Sequence, residues 1–458
     1  MIRGHSAIAF WCILFLLIAC SLQAAPARAT SPEVTTNRRV GPPTTSTLLK
    51  GRGFGAQETV DLTFDEAPLT TAATDPSGSF QARVRIPASA KPGRHDIQAT
   101  GEVSGPEAAT RFLVHTNWAM FHFGPARTGY NPYENVLSPS NVSGLHLAWR
   151  FPAGFDASPA VANGMVYVHA DKIYALDALT GNTVWSVPRG DFTVSSPAVA
   201  SGVVYVGLGR DIAALDAFTG QELWAVRTGN AVDASPAVAG GTVYVPSFDG
   251  NLYALDAGTG IQRWALYTGA FENSSPAVAG GVVYFGSADG NLYALDADTG
   301  TGLWIFRVSL VTSGPAVAGG VVYVGSVDGN VYAIDATSGV KKWSFATAGE
   351  IQSSPAVAEG VVYVSSTDGT VYALDAATGT KLWSTSFTSG YPSSPVVANG
   401  LVYLSSPSGN MTALAAATGK RLWSFPAGGA IYSSPAVSDG RVYLASQRGT
   451  GFTFAFAL

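Results

Sequence analysis

The chain has 458 residues, 47% of them hydrophobic and only 12% charged, with 52 glycines; it is long enough for more than one domain and suits short strands joined by tight turns better than long solvated helices. Its formal net charge of −5, without clustered Lys and Arg, excludes the basic footprint of a nucleic-acid binder. Both cysteines, Cys12 and Cys20, precede the body, which therefore holds no disulfide framework, thiolate metal site or haem-attachment motif.

Residues 1–29 read as an export signal. Arg3 is followed by the apolar run Ala7 to Ala19, which is short for a membrane span and placed as a signal core. Two cuts compete. Leu17-Ile18-Ala19-Cys20 resembles a bacterial lipobox, which implies lipidation of Cys20, while Ala27-Arg28-Ala29 resembles an ordinary A-x-A site. The lipobox is favoured because it abuts the apolar run. Either cut puts the mature chain outside the cytoplasm, in the cell envelope or beyond it, with a lipid anchor as its only membrane contact. Residues 30–45, rich in Thr, Pro and Arg, show no apolar period and read as a tether. In residues 46–115, Thr59 to Phe64 and Phe80 to Ile86 alternate as half-buried strands, and Asp75-Pro76-Ser77-Gly78 marks a turn. The stretches GRGFGAQETVDLTF, DPSGSF, IPASAKPGRHDIQATG and RFLV resemble small bacterial immunoglobulin-like domains, which implies a spacer or adhesive β-sandwich. His95 and His115 stand isolated there and are expected at the surface or an edge.

Residues 116–146 are a lead-in. Trp118 to Asn141 resembles the stretch that opens many quinoprotein-type propellers and is expected to pack on the ring, His122 and Arg127 included. From residue 147 to 458 the chain repeats. Trp149, Trp185, Trp224, Trp264, Trp304, Trp343, Trp383 and Trp423 recur every 36 to 40 residues, the length of one four-stranded sheet that must stack on neighbours. In Ser274 to Trp304, Ser-Pro-Ala-Val-Ala makes an inner strand and Gly280-Gly281 a tight turn. Val282 to Ser287 makes a strand apolar on both faces, and Asp289-Gly290 a two-residue hairpin with both positions at positive φ. The acids at repeated turn positions, such as Asp177, Asp216, Asp256, Asp296, Asp335 and Asp375, are turn chemistry.

Ala294, Asp296, Thr299, Gly300 and Trp304, and again Ala373, Asp375, Thr378, Gly379 and Trp383, form the signature A-x-D-x-x-T-G-x-x-x-W. This resembles the pyrroloquinoline-quinone-type propeller repeat, in which the tryptophan packs between blades. Ala415 replaces the aspartate once, so a weaker turn is expected there. Trp149 precedes the first of the Ser/Gly-Pro motifs (Pro159, Pro197, Pro236, Pro276, Pro315, Pro355, Pro395, Pro435), and no tryptophan follows the last. Leu147 to Phe151 is thus the outer strand of the final sheet, closing the ring and removing two edges. The fold expected is all-β: an eight-bladed β-propeller of four-stranded blades after a small immunoglobulin-like sandwich.

Function is sought in residues that do not repeat. Asp156, Val194, Asp233, Asn273, Thr312, Gln352, Pro392 and Tyr432 precede the prolines by three; Phe155, Thr193, Val232, Glu272, Val311, Ile351, Tyr391 and Ile431 stand one earlier. These should ring one mouth of the central channel, with Asp156, Asp233, Glu272, Asn273, Tyr391 and Tyr432 as ligand candidates. Quinone-dependent dehydrogenases hold their cofactor between a tryptophan and, in many members, adjacent cysteines, with calcium on Glu, Asn and Asp. Glu272-Asn273 suits part of that set, the cysteines are missing, and His169 stands alone and is expected to be structural. No catalytic residue is nominated and no cofactor or metal is expected; pyrroloquinoline quinone and calcium enter only with the alternative. The chain also resembles the propeller lipoproteins of outer-membrane assembly. The reading is an exported binding or scaffold protein, expected to be monomeric and lipid-anchored, whose partner is an envelope or extracellular protein or polysaccharide. The alternatives are a quinone-dependent dehydrogenase of alcohols or sugars and a carbohydrate- or cell-wall-binding adhesin, the last suggested by Phe155, Tyr391 and Tyr432.

Overall fold

The computed structural model describes residues 31–153, 157–188, 193–269, 274–387, 393–446 and 451–458; the segment read as an export signal, both candidate cuts and Cys20 lie outside the described residues. Among the described residues every regular element is a strand, apart from one 3-10 turn at Val142–Gly144. The chain divides into two compact units: a smaller one with Thr47–Val84 and Asp96–Thr110, and a larger one with Arg38–Ser46, Arg85–His95 and Arg111–Leu458.

Before the ring lie β1 (Glu33–Thr36), β2 (Val40–Gly41), β3 (Ser46–Arg52), β4 (Thr59–Phe64), β5 (Ala67–Ala73), β6 (Phe80–Arg85), β7 (Gly93–Gly101) and β8 (Glu107–Val114). They form two sheets, ordered β1-β3-β6 and β2-β8-β7-β4-β5. Period-two alternation buries Leu49, Val60, Leu62, Phe80, Ile97 and Phe112 and leaves their neighbours in water. The stretch expected to be a tether is partly built into these sheets. β1 pairs antiparallel with β3, Val34 opposite Gly51, and β2 runs parallel to β8. Its β-branched Val and Thr favour a strand without supplying the large apolar residues that a periodicity search detects.

The larger unit is a succession of four-stranded antiparallel sheets, with strands named a to d from the axis outwards. The first comprises Ala160–Ala162, Met165–His169, Lys172–Asp177 and Thr183–Pro188; the fourth comprises Ala277–Ala279, Val282–Gly286, Asn291–Asp296 and Gly302–Arg307. Neighbouring a strands touch in order around the axis, and the last, Ala436–Ser438, touches Ala160–Ala162 again. This is the arrangement of a β-propeller. The b and c strands carry the core: Val283, Phe285 and Leu292 are fully buried, each contributing about 1.5–3 kcal/mol.

The turns differ from expectation in one respect. The two-residue hairpin with both positions at positive φ is Gly280-Gly281 (φ 59° and 78°), between a and b, and Asn163-Gly164, Asn399-Gly400 and Asp439-Gly440 repeat it. Asp289-Gly290 instead ends a three-residue loop. Only Gly290 is left-handed (φ 87°), its N–H bonds Ser287 O at 3.1 Å, and Asp289 Oδ1 accepts the Asn291 N–H at 2.9 Å. The carboxylate fixes the loop through that bond, so Asp289 itself needs no positive φ.

Closure occurs as the tryptophan count requires. Strand β10 (His146–Phe151), which follows the short β9 (Tyr130–Asn131), pairs antiparallel with Thr453–Ala457, Trp149 opposite Ala455, and becomes the d strand of the last sheet. Each docking tryptophan donates its indole N–H to a carbonyl of the next sheet: Trp264 to Ala297 at 3.0 Å, Trp149 to Ala178 at 3.1 Å, and Trp423 across the seam to Leu145 at 2.9 Å. Except at Trp423, the indole lies on the signature glycine of that next sheet. A methyl group at Gly300 (φ 72°) would fall 2.7 Å from the Trp264 ring, so both conformation and space demand glycine. Where Ala415 replaces the aspartate, the backbone turn persists, Gly419 N to Ala415 O at 2.8 Å. It lacks the bonds Asp296 accepts from Asp298 N, Thr299 N and Thr299 Oγ1.

Candidate functional site

The axis of the ring is occupied by the chain itself. The a strands present unpaired backbone groups to the axis, and the lead-in pairs with them. Trp118 bonds with Val161, and Val199, Val278, Val317, Val357 and Val397 donate to the carbonyls of Ala119, Pro125, Ala126, Thr128 and Gly129. β9 continues this as a parallel strand beside Val397, and Asn131 Nδ2 donates to Val437 O at 2.9 Å. The remaining a strand is reached by Arg127. Fully buried, it donates to Ser235 O and Pro236 O (both 2.8 Å), Pro276 O (2.9 Å) and Phe121 O (2.8 Å). Burial lowers its pKa to about 9, so the guanidinium stays charged at neutral pH. His122 beside it is buried too; desolvation and the Arg127 charge hold its pKa near 3, and it is neutral. Both residues are structural, as expected for the lead-in.

The serine of most Ser-Pro motifs has a second task. Its hydroxyl accepts the backbone N–H of the corresponding residue in the preceding sheet: Ser158 N to Ser196 Oγ (2.9 Å), Ser196 N to Ser235 Oγ (3.1 Å) and Ser235 N to Ser275 Oγ (3.0 Å). The series continues with Gly314 N to Ser354 Oγ (2.8 Å), Ser354 N to Ser394 Oγ (2.9 Å) and, across the seam, Ser434 N to Ser158 Oγ (2.8 Å). These bonds belt the sheets together beneath the mouth. The repeated Ser in the motif was the sequence signal for the belt; the proline drew attention instead. His169 belongs to the same frame: it is buried, its Nδ1 lies 2.9 Å from Ser195 O, and it links the first sheet to the second.

The mouth pattern splits in two. Of the earlier positions, Val232, Val311, Ile351 and Ile431 are at most 2% exposed and belong to the core rather than a recognition surface. Glycines make room for them: a methyl at Gly286 would lie 2.1 Å from Val311, and one at Gly325 2.2 Å from Ile351. Asp156, Glu272, Asn273 and Tyr391, four of the six candidates, lie outside the described residues. Asp233 is half-buried, and Tyr432 is 45% exposed. Tyr432 lines a cavity of about 170 Å³ together with Gln352, Thr367 and the hydroxyl residues Ser353, Ser365, Ser366, Ser393 and Ser394; Asp233 is not part of it. Thr367 comes from the b–c loop, which the sequence pattern of the mouth did not include.

A family model described as outer membrane protein assembly factor BamB matches residues 144–215, 209–310, 292–390 and 367–456, most of the ring. The chain belongs to this BamB-type repeat family. Over 141 residues it is 29% identical to the quinohemoprotein alcohol dehydrogenase of Comamonas testosteroni, covering 27% of this chain and 20% of that one. The chain thus spans about a fifth of the length of the curated relative it matches. Among solved structures, BamB from Moraxella catarrhalis superposes with a TM-score of 0.61 at 23% identity, over 69% of this chain and 98% of that one. The Comamonas testosteroni enzyme superposes with 0.67 at 18% identity, over 74% and 80%. The computationally designed Ika8 protein gives 0.60 at 18%, over 68% and 98%. At these identities the likeness establishes the propeller alone.

One relative is named a quinohemoprotein, so the donor set matters. The ring contains no cysteine. Its docking tryptophans lie against signature glycines and, in most sheets, a b-strand tyrosine, as Trp264 does with Tyr244 at 5.8 Å between ring centres. Among the described residues no three His, Cys, Asp or Glu side chains group as metal ligands. Glu272 and Asn273, the pair that suits part of the calcium set, lie outside the described residues.

Proposed function

We propose that the protein is an exported, lipid-anchored, non-catalytic binding or scaffold protein of the cell envelope. Its ring would be an eight-bladed propeller presenting the mouth as a recognition face, and the preceding sheets an immunoglobulin-like spacer. The observation that carries this reading is the lead-in at the axis. Every donor of Arg127 recorded there is directed to a main-chain carbonyl, so this buried cation serves the frame and not a substrate. The eight blades are supported by the sheets running from Ala160–Ala162 to Ala436–Ser438 with β10 completing the last, and the envelope by membership of the outer membrane protein assembly factor family. The export test is Cys20→Ser, expected to release the protein from membranes into the soluble fraction; a wild type already soluble refutes the anchor.

A quinone-dependent dehydrogenase is the second reading, favoured by the 29% match to the quinohemoprotein enzyme. Incubation of the purified full chain with pyrroloquinoline quinone and calcium is expected to give neither a bound chromophore nor dye reduction with alcohols. A stoichiometric, active holo-form overturns the scaffold reading.

A further inference from the structure

We propose that the cavity beside Tyr432 binds an uncharged sugar ring, such as the exposed end of a glycan. This rests on the mouth being a recognition face. Three residues that vary from sheet to sheet converge on the cavity. Gln352 and Tyr432 occupy the variable position before the proline in two different sheets, and Thr367 stands where other sheets carry Phe248, Ala288 or Val327. A frame built by repetition does not require a hydroxyl-bearing residue at that loop position, yet here Thr367 lines the cavity.

The hydrogen-bonding capacity of the lining is only partly used. Gln352 Nε2 donates to Glu350 Oε2 at 2.7 Å, which leaves its carbonyl oxygen available as an acceptor. Ser394 Oγ accepts the Ser354 N–H, and its own proton has no acceptor among the described residues. Neither Thr367 Oγ1 nor Tyr432 Oη bonds to any described residue. The cavity therefore offers donors and acceptors side by side, matching a ligand whose hydroxyls do both. Among the described residues no charged side chain lines it, so an ion entering would lose hydration without a counter-charge from them. Tyr432 at the rim adds an aromatic face for the C–H side of a ring, with a polar tip in water. At about 170 Å³ the space is below the roughly 300–1,000 Å³ of ordinary small-molecule pockets, which limits it to a single ring.

The test is calorimetry and saturation-transfer NMR on the full chain with glucose, galactose and N-acetylglucosamine, against glucosamine and glucuronate as charged counterparts. At least one neutral sugar is expected to bind with a Kd of about 1–10 mM, as suits one ring. Thr367→Val and Tyr432→Ala are each expected to weaken it at least about fivefold without moving the unfolding midpoint, and Thr367→Phe to abolish it by filling the space. Silence of all neutral sugars at about 50 mM, preference for a charged sugar, or binding indifferent to all three variants overturns the proposal. The quinone incubation separates this failure from that of the scaffold reading: sugar silence without a holo-form removes the ligand alone, whereas an active holo-form removes the reading beneath it.

Discussion

Tyr403→Phe is expected to leave stability unchanged or raise it, whereas Tyr244→Phe lowers it. Both tyrosines occupy the same b-strand position and both are buried, at 0% and 2% exposure. Tyr244 Oη donates to Ala297 O at 3.0 Å, the carbonyl that also takes the Trp264 indole, and the corresponding tyrosines elsewhere do likewise. At the seam the equivalent carbonyl belongs to Leu145, at the entry to β10. Trp423 still reaches it, but Tyr403 Oη finds no partner among the described residues, and burial drives its pKa well above the ordinary value. Removing a satisfied hydroxyl costs about 0.5–1.5 kcal/mol, while an unsatisfied buried one already costs about 1–3 kcal/mol. Allowing for the small void left by the oxygen, Tyr403→Phe should be the more stable variant by roughly 2 kcal/mol. Urea unfolding followed by tryptophan fluorescence at neutral pH reads the difference from the two midpoints. Equal destabilisation by both substitutions would refute the reasoning, because it would mean that the seam hydroxyl is bonded after all.

Gly300→Ala combines a left-handed backbone with a clash against Trp264 and is expected to cost roughly 2–4 kcal/mol; Gly280→Ala, left-handed but in open space, should cost about 1 kcal/mol, and comparable unfolding midpoints for the two would sink the docking argument. Ala415→Asp should restore the carboxylate that caps the other signature turns and stabilise by about 0.5–1.5 kcal/mol in the same assay. His122 makes stability depend on pH. Its folded pKa near 3 lies below the ordinary 6.5, so between these values the unfolded chain binds the extra proton and stability falls as pH falls, at up to about 1.4 kcal/mol per unit. Measured from pH 7 to 4, His122→Gln should flatten that slope relative to wild type, and an unchanged slope contradicts the assignment.

Much of the ring was legible because each interaction recurs. A tryptophan that follows the signature glycine by a fixed interval in seven sheets must meet the same neighbour each time, and the one tryptophan out of phase located β10. The misreadings share the opposite cause. The Asp-Gly hairpin was assigned by dipeptide alone, although the carboxylate holding Asn291 makes a three-residue loop out of a two-residue signal. The mouth was drawn from a count back from each proline. Val311 and Ile351 sit within that count, yet they fill the spaces that Gly286 and Gly325 vacate, a partnership between positions far apart in the repeat. The lead-in occurs once and has no period. Its partners are backbone groups, which carry no residue identity, so nothing in the letters around Arg127 tells that it spans two sheets. Thr367 escaped for a related reason: its loop seemed to belong to the frame, and only the fold brings it beside Gln352.

The spliced last sheet gives this chain an order of events. Thr453 Oγ1 bonds Ala153 O across 300 residues, and β10 has no mate until the final strand arrives. During synthesis the chain holds an unpaired outer strand until nearly its last residues are added, a long-range closure of the kind that folds slowly. Until then its exposed edge is open to holding chaperones, to proteases, or to the tail of another copy. Removing a few residues at the carboxyl end would therefore do more than shorten the protein: it would return the ring to that unfinished condition.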